Sequence, residues 1–407
     1  MAAKRLVLIG AGMTGRGQVA QLAYEAGWDL TLVDRSAALV ERLKEAGQYR
    51  VRLLSALPDG SPSAREVVVK DFEVLHTGDS EALGEAICRA DLVVTSVIEN
   101  NLPSAGETLA GAIAARLRAG VQSPLNLIAA ENMEHSSSDL QKYVKAHLDA
   151  ELLPDFEARM GFPNAMISRV VPVAEDPLLI VAEEYSEWTA DQNACLGDPP
   201  ILNGLEWVTN QSARLERKLF IHNTGHVICG YLGWMKGYRY IHEAAQDPEI
   251  MAHIQQAVSE SGAAISAEHG FPREEVKAYE EHLLGRLVLS ALPDDLRRVI
   301  RHPLRKLGRE ERLVGPLLLC EKHHLPIKAL CYGIAAVLAG CKTRSGEQDT
   351  GQFARDEQSE RIRASLEQRG PVETLRDLTG FDARDWNLSE EAAGYIRDAY
   401  QQLSNKG

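Results

Sequence analysis

Lys218, Asn223 and His226 stand within residues 217–226, a stretch with a helical apolar pattern. At about 100° per residue they fall within an arc of roughly 140° on one helix face, so an amine, an amide and an imidazole can converge on one small ligand. That set suits the oxidation of a secondary alcohol. A base takes the hydroxyl proton as hydride leaves carbon, while amide and imidazole N–H groups are suitable donors to the oxygen that gains charge. Lysine serves as the base only when neutral, which requires its pKa to fall from about 10.4 to about 7–8 through burial or a neighbouring cation. Two other readings use the same residues. Lysine on an exposed helix face is simply solvated. His222 and His226 share the spacing of the HExxH metal motif, although Asn223 stands where that motif has glutamate and no third ligand is evident nearby.

A hydride needs an acceptor, and the start of the chain offers a place for one. The aliphatic run of residues 5–9 leads into Gly10-Ala11-Gly12-Met13-Thr14-Gly15 and then a helical stretch over residues 18–26. In a strand–turn–helix dinucleotide motif, Gly10 makes the turn, Gly12 lets backbone approach a pyrophosphate and Gly15 lets helix pack on strand, with the free N–H groups of the helix start facing the phosphates. A second strand over residues 29–33 ends in Asp34, where an acid accepts hydrogen bonds from the adenosine ribose and repels a 2′-phosphate, favouring NAD over NADP. Arg35 follows and partly offsets that repulsion.

The elements around these residues predict an α/β protein with an N-terminal Rossmann domain over residues 1–175 and a mainly helical substrate and catalytic domain over residues 176–407. Residues 91–97 and 125–130 are apolar runs with polar ends, the pattern of buried parallel strands. Thr95, Ser96, Glu131 and Asn132 then lie at the carboxyl edge of the sheet, where open α/β folds bind ligands, or else serve as loop and cap residues. Pro172 and Pro177 mark the change of pattern near residue 175. Beyond about residue 206 the periodicity is helical, for instance over residues 250–269 and 389–403.

At 407 residues, with 45% hydrophobic and 25% charged, the chain suits two folded domains. Its net charge of -14 argues against general binding to nucleic acid or an anionic membrane, so an anionic substrate needs a local basic patch. The apolar run at residues 6–9 leaves no room for a cleavable signal and no stretch approaches a membrane span, which predicts a soluble, cytoplasmic protein. Cys88, Cys195, Cys229, Cys320, Cys331 and Cys341 form no CxxC pair, as expected of reduced thiols.

With its Lys-x4-Asn-x2-His core, the 217–226 stretch resembles the active-site helix of the polyol-specific long-chain (mannitol) dehydrogenases, above all the mannitol-1-phosphate 5-dehydrogenases. The resemblance runs in order along most of the chain: the Gly10–Gly17 turn with Arg16, Glu131-Asn132-Met133, residues 161–172, and Arg298-Val299 through Arg305-Lys306-Leu307. It implies metal-independent, NAD-dependent interconversion of a polyol and a keto sugar. Lys218 would be the general base, Asn164 and Asn223 would hold the reacting oxygen, and His226 would orient substrate hydroxyls. Arg298 and Lys306 would bind the distal end of the substrate, and Asp191, three residues after Trp188, would touch it. Gly10, Gly12, Gly15, Arg16, Asp34 and Asn132 would serve the cofactor. The chain departs from the family pattern in three places. Ser168 precedes Arg169 where relatives have an aspartate that orders the arginine, His302 precedes Pro303 where they have aspartate, and Ile98 follows Val97 where they turn with glycine.

Arg297, Arg298, Arg301, Arg305, Lys306, Arg309 and Arg312 form a basic cluster in this acidic chain, able to grip a phosphate or, alternatively, to pair with Glu310, Glu311 and other acids. The first reading gives mannitol 1-phosphate and fructose 6-phosphate as the substrate pair. The alternatives are a non-phosphorylated polyol or a hexuronate, or a protein that binds NAD without turnover. The expected partner is a small polyol or sugar phosphate, with no nucleic acid and no membrane, and the chain is a monomer or homodimer.

Overall fold

A computed structural model describes residues 3–56, 62–131, 133, 135–172, 176–290, 294–343, 357–379 and 388–405. It divides into two compact units, Met1–Arg214 and Leu215–Gly407.

The first unit is built on a six-stranded sheet. Strands β1 (Arg5–Ile9), β2 (Asp29–Asp34), β5 (Glu73–His76), β6 (Leu92–Thr95), β7 (Leu125–Ala129) and β8 (Met160–Gly161) lie in the order β5-β2-β1-β6-β7-β8, every pair parallel. That is the doubly wound dinucleotide order, with a hairpin of β3 (Gln48–Ala56) and β4 (Pro62–Lys70) inserted before β5. Successive side chains of a strand point to opposite faces. Leu6 and Leu8 accordingly enter one apolar core, with Val19, Ala23 and Leu32, while Val7 and Ile9 enter another, with Leu109, Ile113 and Leu140. Burial on both faces explains why these strands read as continuous aliphatic runs rather than alternating ones.

The expected boundary at residue 175 differs from the division at Arg214. Three further strands follow that point: β10 (Leu179–Glu183), β11 (Glu187–Asp191) and β12 (Glu206–Val208). β10 pairs with β3, while β11 pairs with β12 and with β9 (Ala165–Ser168). β10 and β11 have partners earlier in the sequence and β12 joins through β11, so the stretch belongs to the first unit although Pro172 and Pro177 interrupt the chain before it. Arg169 stands on this added layer. With Ser168 in place of an acid, its guanidinium donates to the carbonyls of Gly17 (2.7 Å), Glu184 (3.0 Å) and Tyr185 (3.2 Å) and to Gln21 Oε1 (2.6 Å). Oxygens of the backbone and an amide thus order the arginine that was expected to lack its partner.

The second unit is helical. The helix Lys328–Thr343 is buried almost throughout, with Leu330, Cys331, Ile334, Ala335, Ala336, Val337 and Leu338 fully enclosed. A helix apolar on every side must be covered on every side, and the helices Asn223–Met235, Pro248–His269 and Glu390–Ser404 pack on it. The last two match the sequence-predicted helices and carry their own start signals. Asp247 accepts from the N–H groups of Glu249 and Ile250, and Ser389 accepts from that of Ala392. No helix of the described residues is long and apolar enough to cross a membrane.

Candidate active site

In the first unit the glycine turn connects β1 to a helix that opens with a widened π segment, Gly15–Ala20. Gly10 has φ +92, and a Cβ there would lie 2.3 Å from the Ser96 carbonyl oxygen, while a Cβ on Gly15 would lie 2.4 Å from the Gly10 oxygen. These two glycines are required by the protein's own packing. At Gly12 a Cβ would meet nothing within 4 Å. The turn therefore keeps open backbone surface beside the helix start and between β1 and β6, where the strand order reverses and a dinucleotide fits.

Arg16 lies elsewhere than expected of a cofactor ligand. It is 1% exposed, and it donates to the Ala11 and Pro177 carbonyls (2.6 Å each) while its guanidinium rests over the Tyr49 ring. It shapes the turn from within. Asp34 sits at the end of β2, with Oδ1 accepting the Ser36 N–H at 2.9 Å, and the neighbouring Arg35 donates to Asn101 Oδ1 at 3.2 Å. Asn132 lies outside the described residues.

Glu131 is buried just past the end of β7. Its Oε1 accepts from the Val97 N–H (2.7 Å) and from Thr95 Oγ1 (3.3 Å), and burial outweighs those bonds and pushes its pKa up to about 7. Asn164 is nearly saturated by its own unit. Its Oδ1 accepts the N–H groups of Ser137 and Ser138 (3.1 Å each), capping the helix Ser136–Ala146, and its Nδ2 donates to Ser138 Oγ at 2.8 Å. An amide carries two N–H donors, so one is left to offer an oxygen. The Asp191 N–H donates to the Asn164 carbonyl at 2.9 Å, and the Asp191 carboxylate accepts from Asn193. The two residues are thus neighbours at the edge of β9 and β11.

In the second unit, Lys218–His222 is a π segment leading into the helix Asn223–Met235. The Asn223 N–H bonds the Lys218 carbonyl, an i→i+5 closure that sets Asn223 about one wide turn above Lys218, in place of the 140° offset of a regular helix. Lys218 is 6% exposed and Asn223 8%. Both are withdrawn from water, unlike a solvated surface lysine.

His222 and His226 hold separate partners. Arg286 donates to His222 Nδ1 at 3.1 Å, and His226 Nε2 lies 3.0 Å from Asp294 Oδ2. The two rings meet edge to face at 5.8 Å. Burial first, then the neighbouring positive charge of Arg286 and Lys218, holds His222 well below the usual imidazole range. Since arginine can only donate, His222 Nδ1 must be the acceptor, and the ring is neutral with its proton on Nε2. Among the described residues no group of three or more His, Cys, Asp or Glu side chains is arranged to hold a metal ion.

The basic cluster carries its own carboxylates. Arg297 pairs with Asp295 (2.6 Å), Arg298 with Asp294 (2.5 Å), and both Arg305 (3.4 Å) and Arg312 (2.9 Å) with Glu311. Arg301 donates to the Arg298 carbonyl, and Lys306 is buried in the single turn Pro303–Lys306. Sequence reasoning missed Arg286 and Asp294. Asp294 had a faint local signal in its i,i+4 spacing to Arg298, whereas nothing near Arg286 points to His222.

A doubly wound dinucleotide sheet and a helical unit carrying a buried lysine, an asparagine and a histidine define a nicotinamide-type dehydrogenase. The particular family follows from comparison with known proteins: residues 4–204 match the mannitol dehydrogenase Rossmann domain and residues 212–403 the mannitol dehydrogenase C-terminal domain, and the chain belongs to the mannitol dehydrogenase family. Curated relatives include mannitol-1-phosphate 5-dehydrogenases of Brevibacillus brevis, 38% identical over 93% of this chain and 94% of that protein, and of Thermoanaerobacter pseudethanolicus, 32% identical over 96% and 97%. Among solved structures, D-sorbitol dehydrogenase in its substrate-free form shares the fold with TM-score 0.79 at 20% identity, covering 99% of this chain and 93% of that one. Pseudomonas fluorescens mannitol 2-dehydrogenase, in a ternary complex with NAD and D-mannitol, does so with TM-score 0.73 at 17% identity, covering 100% and 93%. The chain is thus a dehydrogenase of the mannitol dehydrogenase family.

Proposed function

We propose that this enzyme interconverts D-mannitol 1-phosphate and D-fructose 6-phosphate with NAD, using Lys218 as a general base and no metal ion, in the cytoplasm. The observation that carries the reading is the buried Lys218, one π turn below Asn223 and electrostatically coupled to His222, in a chain whose 38%-identical relative bears that name. The unobstructed backbone at Gly12, the helix start beyond it and Asp34 suit NAD, which when bound supplies the hydride acceptor. Burial and neighbouring positive charge are the conditions under which an amine gives up its proton. Neutral Lys218 then takes the hydroxyl proton of the alcohol as its carbon is oxidised, and returns it in the reverse reaction. Asn223 and the remaining N–H of Asn164 donate to the reacting oxygen, which gains negative charge on the way to the carbonyl. His226 contacts a flanking hydroxyl, while Arg298, Lys306 and Asp191 hold the rest of the substrate.

A second reading, with an unphosphorylated polyol or a hexuronate as substrate, is favoured by the internal pairing of Arg297, Arg298, Arg305 and Arg312 with carboxylates, which lowers the charge available to a phosphate. Initial rates of NADH formation from mannitol 1-phosphate, mannitol, arabinitol and a hexuronate decide between them. An advantage in kcat/KM for the phosphate ester supports the first reading, and equal or better use of an uncharged polyol removes it. A protein that only senses NAD would produce no NADH from any of them.

A further inference from the structure

Asp294 has none of the roles above, yet two of the named side chains meet on it. Its Oδ2 lies 3.0 Å from His226 Nε2 and 2.5 Å from Arg298 Nη2, and its Oδ1 lies 2.7 Å from Arg298 Nε. The side chain is 10% exposed. The backbone is fixed at Asp294 and just after it: the Ile241 N–H donates to the Asp294 carbonyl at 2.9 Å, the Leu296 N–H donates to the Arg239 carbonyl at 3.0 Å, and Tyr240 and Asp295 form an antiparallel bridge. The helix Asn223–Met235 approaches this segment closely through its small residues. A Cβ on Gly233 would lie 3.1 Å from Leu296 Cδ1, and one on Gly230 would lie 2.9 Å from Val299 Cγ1. Farther along the same segment, Tyr231 donates to the Ile300 carbonyl at 2.8 Å. The contact between His226 and Asp294 is therefore built by backbone and packing rather than left to two mobile side chains.

The protonation state follows from the partners. Burial alone would raise the Asp294 pKa, but the hydrogen bonds of His226 and Arg298 and the charge of Arg298 outweigh it and hold the group below the usual carboxylate range. An ionised carboxylate only accepts, so His226 Nε2 carries the proton. Burial in turn holds the His226 pKa below its ordinary value, against the pull of Asp294. The ring is neutral, and its Nδ1 is a lone-pair acceptor.

We propose that Asp294 is a positioning residue that locks His226 in the Nε2–H tautomer, so that His226 selects substrates by accepting a hydrogen bond from a hydroxyl next to the reacting carbon instead of donating one to the reacting oxygen. This rests on the polyol dehydrogenase reading and refines it. A substrate lacking that hydroxyl leaves Nδ1 unpaired, and a site built to bond a hydroxyl discriminates strongly against its absence.

Asp294→Asn tests the proposal because an amide of the same shape can donate or accept, which releases the tautomer. In the full-length protein with 15N-labelled histidine, the His226 ring is expected to show its proton on Nε2 at neutral pH, and Asp294→Asn to show a mixture. With the best polyol found, kcat/KM is expected to fall about 10–100-fold, the range seen when the partner that orients a metal-ligating imidazole is replaced, and NAD affinity to stay unchanged. The preference for the polyol over its deoxy analogue at the flanking carbon is expected to shrink in Asp294→Asn and to return in part in Asp294→Glu. A wild-type ring protonated on Nδ1 or on both nitrogens overturns the proposal without any variant having to fold. Full retention of the deoxy discrimination in a folded Asp294→Asn protein overturns it too. Failure of the wild-type enzyme to oxidise any polyol instead removes the dehydrogenase reading and with it the role in selection, whatever tautomer the ring adopts.

Discussion

The two units place functional groups by different means. In the first, the surface offered to a dinucleotide is backbone: Gly10 and Gly15 fit where no side chain could, Gly12 leaves main chain open, and Arg16 and Arg169 bond main-chain carbonyls to hold the layers around the turn. In the second, the candidate chemistry is held by side chains far apart in sequence. Lys218, His222 and His226 lie on one helical stretch, while Arg286 and Asp294 come to it from two other segments. A backbone site tolerates many side chains provided the glycines remain, whereas a side-chain site depends on each partner.

The sharpest way to break this comparison is to remove one atom group from the second site and add one to the first. Lys218→Met, with the stem kept and the amine lost, is expected to lower kcat/KM about 1000-fold or more while leaving the NAD dissociation constant unchanged. Steady-state rates and a binding titration check the two halves of that statement, and near-normal turnover would remove Lys218 as the base. Gly10→Ala should act in the opposite sense. Its Cβ would lie 2.3 Å from the Ser96 oxygen on a backbone with φ +92, so it should destabilise the first unit by about 2–4 kcal/mol and weaken NAD binding at least about tenfold. Chemical denaturation and NAD titration would show it, and a variant of normal stability and affinity would mean the turn is less constrained than its packing indicates.

This contrast also sets how much was legible in the sequence. β1, β2, β6, β7 and the glycine turn were readable because each is specified within a few residues: an aliphatic run, a glycine whose conformation or space no other residue fits, an acid at a strand end. The helices at residues 250–269 and 389–403 were readable from periodicity and from the Asp247 and Ser389 caps. The end of the first unit was not, since β10 and β11 belong to it through pairing with β3 and β9, and β12 through β11, and pairing is not written locally. Lys218, Asn223 and His226 were placed on one helical stretch, but the π closure that changes the angle between Lys218 and Asn223 depends on surrounding packing. Asp294 and Arg286 were missed because their partners lie in other segments. The resemblance implied Arg16 for the cofactor, and its bonds to the Ala11 and Pro177 carbonyls were not legible because a motif gives the residue and not the direction it faces.

A smaller effect tests the first unit by charge. Asp34→Ser removes the carboxylate at the end of β2, and the ratio of kcat/KM for NAD over NADP should fall about tenfold, roughly 1.4 kcal/mol, near the lower end of the Coulomb range for charges about 4 Å apart. An unchanged ratio would mean that Arg35, held toward Asn101, rather than Asp34 sets the preference.

The smallest effects concern pH, and here the units should pull in opposite directions. Glu131 has its pKa raised to about 7 by burial against an ordinary 4.5, so between those values the folded protein holds a proton that the unfolded chain has lost. Its contribution to stability is present at low pH and is lost as pH rises through that window. His222 is lowered well below 6.5, so the unfolded chain takes up a proton that the folded protein refuses, and stability falls as pH drops below that value. Between about pH 5 and 6.5 the two slopes, each up to about 1.4 kcal/mol per pH unit, oppose one another. Glu131→Gln keeps an oxygen to accept from Val97 and Thr95, and its stability relative to wild type should increase as pH rises from 5 to 7. His222→Gln keeps an acceptor for Arg286, and its relative stability should increase as pH falls from 6.5 to 5. Urea melts at half-unit intervals measure both differences. If the two variants drifted the same way with pH, the buried carboxyl of the first unit and the buried imidazole of the second would not hold the opposite protonation preferences that their surroundings impose.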